Sequence, residues 1–106
     1  MSDHSREPIA CDLNALTAAE RERRRTAMSG VARTMIGRGE LPDGFELRFD
    51  PAKVDLTALG EWVSLERRCC PFLNFKIQIA SGGGEVTLAL TGPDGVKEFL
   101  HAEMSH

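Results

Sequence analysis

Two runs of strict apolar–polar alternation, Phe75-Lys76-Ile77-Gln78-Ile79 and Val86-Thr87-Leu88-Ala89-Leu90-Thr91, flank a turn over residues 81–84 that contains three glycines. Successive side chains of a strand point to opposite faces, so each run buries one face and wets the other, and so short a connection joins them as an antiparallel hairpin. A third alternating run follows the turn residues Pro42-Asp43-Gly44, with Phe45, Leu47 and Phe49 set against Glu46, Arg48 and Asp50. It reads as a strand with one buried face. A fourth, shorter alternation of Ile9, Cys11 and Leu13 with Ala10 and Asp12 predicts a strand over residues 9–13, with Cys11 on its core side.

Between these runs the period changes from 2 to 3.6. Thr17-Ala18-Ala19-Glu20 is a capping box, in which the Thr hydroxyl accepts from the third amide while the Glu reaches back to the cap's own amide. The helix it opens carries charge in its first half. Its second half has an apolar stripe at Met28, Val31, Ala32, Met35 and Ile36, with Gly37 and Gly39 as the stop. A second helix opens between Asp50-Pro51 and Asp55, since either Asp can cap and proline suits a first turn. It cannot continue past Cys70, because the ring of Pro71 disfavours helical geometry at the preceding residue and lacks the N–H. After Gly92-Pro93-Asp94-Gly95, the spacing of Val96, Phe99 and Leu100 predicts a short final helix.

The expected architecture is α+β in the order β-α-β-α-β-β-α. The first βαβ pairs parallel through a right-handed crossover and the last two strands pair antiparallel, giving a mixed four-stranded sheet with packed helices. That order matches the minimal thioredoxin-like core, and Pro71 falls where such folds place a proline before the third strand, but residues 12–16 hold no CxxC. A chain of 106 residues is enough for one domain, assigned here to residues 9–106 behind a flexible polar N-terminal tail at 1–8. No internal repeat is visible. The core is expected at Leu47, Phe49, Leu59, Val63, Phe75, Ile77, Val86 and Leu88.

Composition excludes several functions. A net charge of -3 gives no global attraction to nucleic acid, and the only basic run, Arg23-Arg24-Arg25, is interleaved with Glu20 and Glu22 as on a solvated helix face. Five Phe, one Trp and no Tyr leave little for stacking bases, so no nucleic-acid partner is expected. No apolar run approaches the roughly 20 residues of a membrane span, and residues 1–8 lack the apolar stretch of a secretory signal. The expectation is a cytoplasmic protein in a reducing compartment. There, an odd count of three cysteines favours free thiols, metal ligation or redox work over a structural disulfide.

The chemistry concentrates at the end of the second helix. At 100° per residue the segment shows two neighbouring stripes, Leu56, Leu59, Val63, Glu66 and Cys70, and beside it Trp62, Leu65 and Cys69. Glu66 therefore falls on a buried stripe one turn before both thiols, where a carboxylate needs a donor or a cation. Arg67 and Arg68 point elsewhere on an ideal helix, where they can cap its last carbonyls. Vicinal cysteines diverge by about 100° in a helix, so they grip one ion only where the backbone bends, as Pro71 makes it bend. With Cys11 added, three thiolates without histidine suit Hg(II), As(III), Cd(II) or Cu(I), while Zn(II) needs a fourth ligand from Glu66 or water. His4, His101 and His106 lie near the chain ends and are weak ligand candidates.

The block Leu65-Glu66-Arg67-Arg68-Cys69-Cys70-Pro71-Phe72, with the early Ile9-Ala10-Cys11 and the later Leu90-Thr91-Gly92-Pro93, resembles a family of small uncharacterised bacterial proteins. Some of its members lie near heavy-metal, particularly mercury, resistance genes. The likeness spans about positions 9 to 100, and its specific part is the ERRCCPF block. The resemblance implies a thiol site at Cys11, Cys69 and Cys70 without implying an enzyme, and no catalytic residue is assigned. Three functions are expected in descending order: binding or trafficking of a soft metal or metalloid ion by Cys11, Cys69, Cys70 and Glu66; thiol–disulfide exchange with a thiol partner; and an interaction protein whose cysteines are only core. Convergence of the three sulfurs, an exposed low-pKa thiol beside a second, or dispersed buried sulfurs would separate them.

Overall fold

The computed structural model describes residues 9–104. The tail assigned to residues 1–8 lies outside the described residues. The chain forms helix α1 at Ala18–Ala32, strands β1 at Met35–Leu41 and β2 at Gly44–Phe49, and helix α2 at Leu56–Cys69. Strands β3 at Asn74–Ile79 and β4 at Val86–Thr91 and helix α3 at Val96–Met104 follow, with 3-10 turns at Leu13–Ala15 and Ser81–Gly83. The α+β class holds: four strands form one sheet, with helices packed on it.

The sheet order is β1-β2-β4-β3 and every neighbouring pair is antiparallel. The expected parallel βαβ pair is absent from the described residues, and with it the thioredoxin-like arrangement. Two local features of the chain account for this. Residues 9–12 form no strand, because Asp12 caps a 3-10 turn by accepting from the Asn14 amide at 3.0 Å, and Leu13 is exposed. Met35 and Ile36 do not extend the helical stripe. The helix ends at Ala32, where the Thr34 hydroxyl donates to the Val31 carbonyl at 2.7 Å, and the chain then enters β1 with a bulge between Met35 and Gly37. Gly37 and Gly39 are strand residues, and a side chain at 37 would meet the guanidinium of Arg48 from the neighbouring strand.

The remaining boundaries follow local chemistry. Thr17 and Glu20 form the reciprocal capping box, with Thr17 Oγ1 accepting at 3.1 Å and Glu20 Oε1 at 2.8 Å. Asp55 caps α2 by accepting from the Thr57 and Ala58 amides. The two-residue connection Pro42-Asp43 closes the β1–β2 hairpin at Leu41 and Gly44. Gly44 lies against the Leu90 carbonyl, where no Cβ fits.

Phe45, Leu47 and Phe49 stand opposite Leu90, Leu88 and Val86, and all six are buried on one sheet face. Ala27 and Val31 of α1, Leu59, Trp62 and Leu65 of α2, and Val96 and Leu100 of α3 join them in one core. The other sheet face carries Glu46, Arg48, Thr87 and Ala89, half-buried. The expected core stands at Leu47, Phe49, Leu59, Val86 and Leu88, while Val63 and Phe75 are half-buried. Ile77 is a correction: it faces the core side opposite Leu88 but is 41% exposed, because β3 is an edge strand that the helices leave uncovered. Helix α3 is tied back to β1 by Lys97 Nζ and Glu40 at 2.7 Å, which holds the Glu40 carboxyl below its ordinary range.

Candidate functional site

Helix α2 presents Leu59, Trp62, Leu65, Glu66 and Cys69 to the core, while Leu56 at its first turn is exposed and Val63 is half-buried. The buried face is therefore centred on the second of the two stripes, with Glu66 at its polar end. The last helical hydrogen bond runs from the Cys70 amide to the Glu66 carbonyl at 2.8 Å. Cys70 then leaves helical geometry at φ -125°, ψ 67°. This is the bend that Pro71 imposes. It turns the two neighbouring sulfurs toward each other, at 3.8 Å, where a continuing helix would splay them.

The segment before α1 supplies the third sulfur. Cys11 and Cys70, 59 positions apart in sequence, form a disulfide with Cα atoms 4.6 Å apart. Beside it, the Asp12 amide donates to the Cys69 carbonyl at 2.7 Å, which satisfies one of the open carbonyls at the end of α2. Arg68 does not cap its own helix. It crosses to α1, donating to Glu20 at 2.6 Å and to the Ala15 carbonyl at 3.2 Å. Arg21 adds bonds to the Leu13 and Leu16 carbonyls. Residues 11–16, without regular structure apart from one 3-10 turn, are thus laced to the helix end.

The cysteine count favours free thiols, yet Cys11 and Cys70 are bonded and Cys69 alone is free and buried. The count could not register this, because the pairing depends on a bend and a crossing that bring together residues 59 apart. All three Sγ atoms lie within 4.8 Å of one another. Cys69 Sγ donates to the Glu66 carbonyl at 3.5 Å, and the Glu66 carboxylate stands 3.4 Å from Cys70 Sγ and 3.9 Å from Cys69 Sγ. The four residues singled out in the sequence thus occupy one small volume.

The cation that Glu66 requires is Arg24, whose Nε lies 2.5 Å from Glu66 Oε1, both side chains being largely buried. Sequence reasoning missed it, assigning Arg23-Arg24-Arg25 to a solvated face. The signal was present but faint: Arg24 lies four residues before Met28 and seven before Val31, on the apolar stripe of α1. Burial works against the Arg24 charge, but the Glu66 hydrogen bond and charge outweigh it and raise its pKa above the ordinary guanidinium value. The Cys69 thiol is pushed up, chiefly by burial and then by the Glu66 charge, with Arg24 opposing.

A cavity of about 250 Å³ opens beside this cluster, and Cys11, Arg24, Met28, Leu47, Trp62 and Glu66 are among its lining residues. Chemically the site has two states. Bonded, it holds a disulfide with a third sulfur in contact. Reduced, it holds three thiol donors around one point with a carboxylate at their side. Among the described residues, no helix is long and apolar enough to cross a membrane.

Fold and site together define the class: a small antiparallel α+β domain gathered around a three-cysteine cluster. No family model, curated protein or solved structure matches the chain, and the functional reading rests on the site's own geometry.

Proposed function

We propose that the protein binds or hands on a soft metal or metalloid ion through Cys11, Cys69 and Cys70, with Glu66 beside them. The observation that carries this reading is the convergence of three sulfurs within 4.8 Å on a core-facing helix end. Thiolate–metal bonds of about 2.3 Å around a single ion set sulfur–sulfur separations near 4 Å, which this cluster reaches once the Cys11–Cys70 bond is reduced. Soft donors without nitrogen select Hg(II), As(III), Cd(II) or Cu(I), and Zn(II) would draw on Glu66 as a fourth ligand. The ion is cargo in this reading, and oxidation of Cys11 with Cys70 withdraws two of its three ligands.

Thiol–disulfide exchange is the second reading, and the Cys11–Cys70 bond favours it. Attack by the Cys69 sulfur on Cys70 would release Cys11 as the leaving thiolate. It stands second because the attacking thiol is buried and its pKa is raised, the opposite of an activated nucleophile.

The test is native mass spectrometry of the reduced protein with Zn(II), Cu(I), Cd(II), Hg(II) and As(III) in competition. One ion per chain is expected, with loss of one thiol proton per new sulfur bond. Serine in place of any one cysteine should weaken binding, most strongly Cys70→Ser, since Cys70 lies between the other two sulfurs. Equal gains in melting temperature for wild type and Cys70→Ser would remove this corner as the site.

A further inference from the structure

We propose that the cavity beside the sulfurs receives the organic group of an organo-substituted soft ion, with a monoaryl arsenic(III) species as the type and its arsenic held by Cys11 and Cys70. This rests on the three-sulfur reading and narrows its ligand class. A bare ion needs only sulfurs. Here Cys11 itself lines a cavity of about 250 Å³ whose other lining residues are mainly apolar, Met28, Leu47, Leu90 and Phe99 among them. An apolar cavity of roughly 150 Å³ already accepts benzene in other proteins, so a phenyl group fits with room to spare.

A second observation points the same way. Trp62 is 8% exposed and lines this cavity, so a ring seated there would stand against an aromatic wall, where offset and edge contacts are favoured. Of the charged groups in the lining, Arg24 and Glu66 neutralise each other at 2.5 Å and Glu103 is solvent-exposed. A neutral, apolar substituent is what remains. A neighbouring cavity of about 540 Å³ shares Met28, Leu47, Trp62 and Glu103 with the first, which leaves space for groups larger than phenyl.

The bonding balances without a change of oxidation state. In protein reduced beforehand by a phosphine, an arylarsonous acid, ArAs(OH)2, loses two As–O bonds and gains two As–S bonds, to Cys11 and Cys70. Each thiol proton leaves with a hydroxide as water, and the As–C bond stays intact. Arsenite, with three hydroxides, engages all three sulfurs and releases three waters. The As–C bond thus stands in the arsenic's valence where a bare ion has its third As–S bond.

The experiment titrates reduced, reductant-free protein with phenylarsonous acid, methylarsonous acid and arsenite, each affinity divided by that for free dithiothreitol. Emission from Trp62, the only tryptophan, is read alongside. Phenyl should exceed methyl by about 10- to 100-fold after that division, the worth of burying one aromatic ring, and should alter Trp62 emission. Met28→Phe, which fills the cavity, should remove most of the phenyl advantage while leaving arsenite affinity unchanged. If that variant does not fold, the wild-type comparison decides alone. Equal ratios for phenyl and methyl, with arsenite bound, would overturn the cavity assignment and leave the sulfur site standing. Failure of all three arsenic species to bind would overturn the sulfur site, and this inference with it.

Discussion

Arg24 and Glu66 are each polar residues on otherwise apolar helix faces, and neither is tolerable alone. Arg24→Met should destabilise the fold by about 3 kcal/mol, because it leaves a mostly buried carboxylate unpaired. Adding Glu66→Gln should recover part of that loss, as a double-mutant cycle in urea would show. A neutral Arg24→Met would mean that water reaches Glu66 freely. Glu20 is different, being a half-buried carboxylate whose pKa is lowered to about 2, first by the Arg68 hydrogen bond and then by the Thr17 amide. Its folded pKa is depressed, so its contribution is complete above the ordinary value of 4.5 and fades as pH falls from there toward about 2. The urea midpoint of wild type should drop more between pH 6 and pH 3 than that of Glu20→Gln, and parallel curves would reject the link.

At the scale of elements, the sheet is uneven. Central strand β4 places Val86, Leu88 and Leu90 in full burial, while edge strand β3 leaves Ile77 and Ile79 open on the same face. Leu88→Ala should therefore cost roughly 2 to 5 kcal/mol, and Ile77→Ala about 1 kcal/mol or less. Equal costs in chemical denaturation would show that β3 is covered in solution. The glycines of the first hairpin divide in the same way. Gly44 abuts backbone that cannot yield, so Gly44→Ala should cost about 2 kcal/mol, whereas Gly37→Ala meets only the mobile tip of Arg48 and should cost less.

The whole molecule repeats one unit: a hairpin followed by a helix, β1-β2-α2 and then β3-β4-α3, with the second strand of each hairpin at the centre of the sheet. Helix α1 and residues 11–16 lie outside that repeat and are joined to it by the Cys11–Cys70 bond, the Arg24–Glu66 pair and the Arg68–Glu20 pair. Reduction should lower stability by about 4 kcal/mol, since a bridge spanning 59 residues restricts the unfolded chain by that order. A soft ion at 100 times its dissociation constant should then restore about 2.7 kcal/mol by mass action. Thermal melts of oxidised, reduced and ion-loaded protein would show this order of stability, and no recovery with any soft ion would count against the proposed cargo.

Period and punctuation determined the local elements from sequence alone. Phe45-Leu47-Phe49, the β3–β4 hairpin, the Thr17 box and the stop at Cys70 each depend on residues a few positions apart, and each stands, while of the two candidate caps Asp50 and Asp55 it is Asp55 that opens α2. Met35 and Ile36 defeated that reading because their spacing fits a helix as well as a strand, and only pairing with β2 decides between them. The short alternation at residues 9–13 failed for the same reason, since a strand requires a neighbour and that segment has none. At the site, residue types named Cys11, Glu66, Cys69 and Cys70, and Pro71 announced the bend. That Cys11 is bonded to Cys70, that Glu66 answers to Arg24, and that a cavity lies beside them are facts of chain crossing. They join residues 42 and 59 positions apart, and no periodicity along one strand or helix carries information over such a distance.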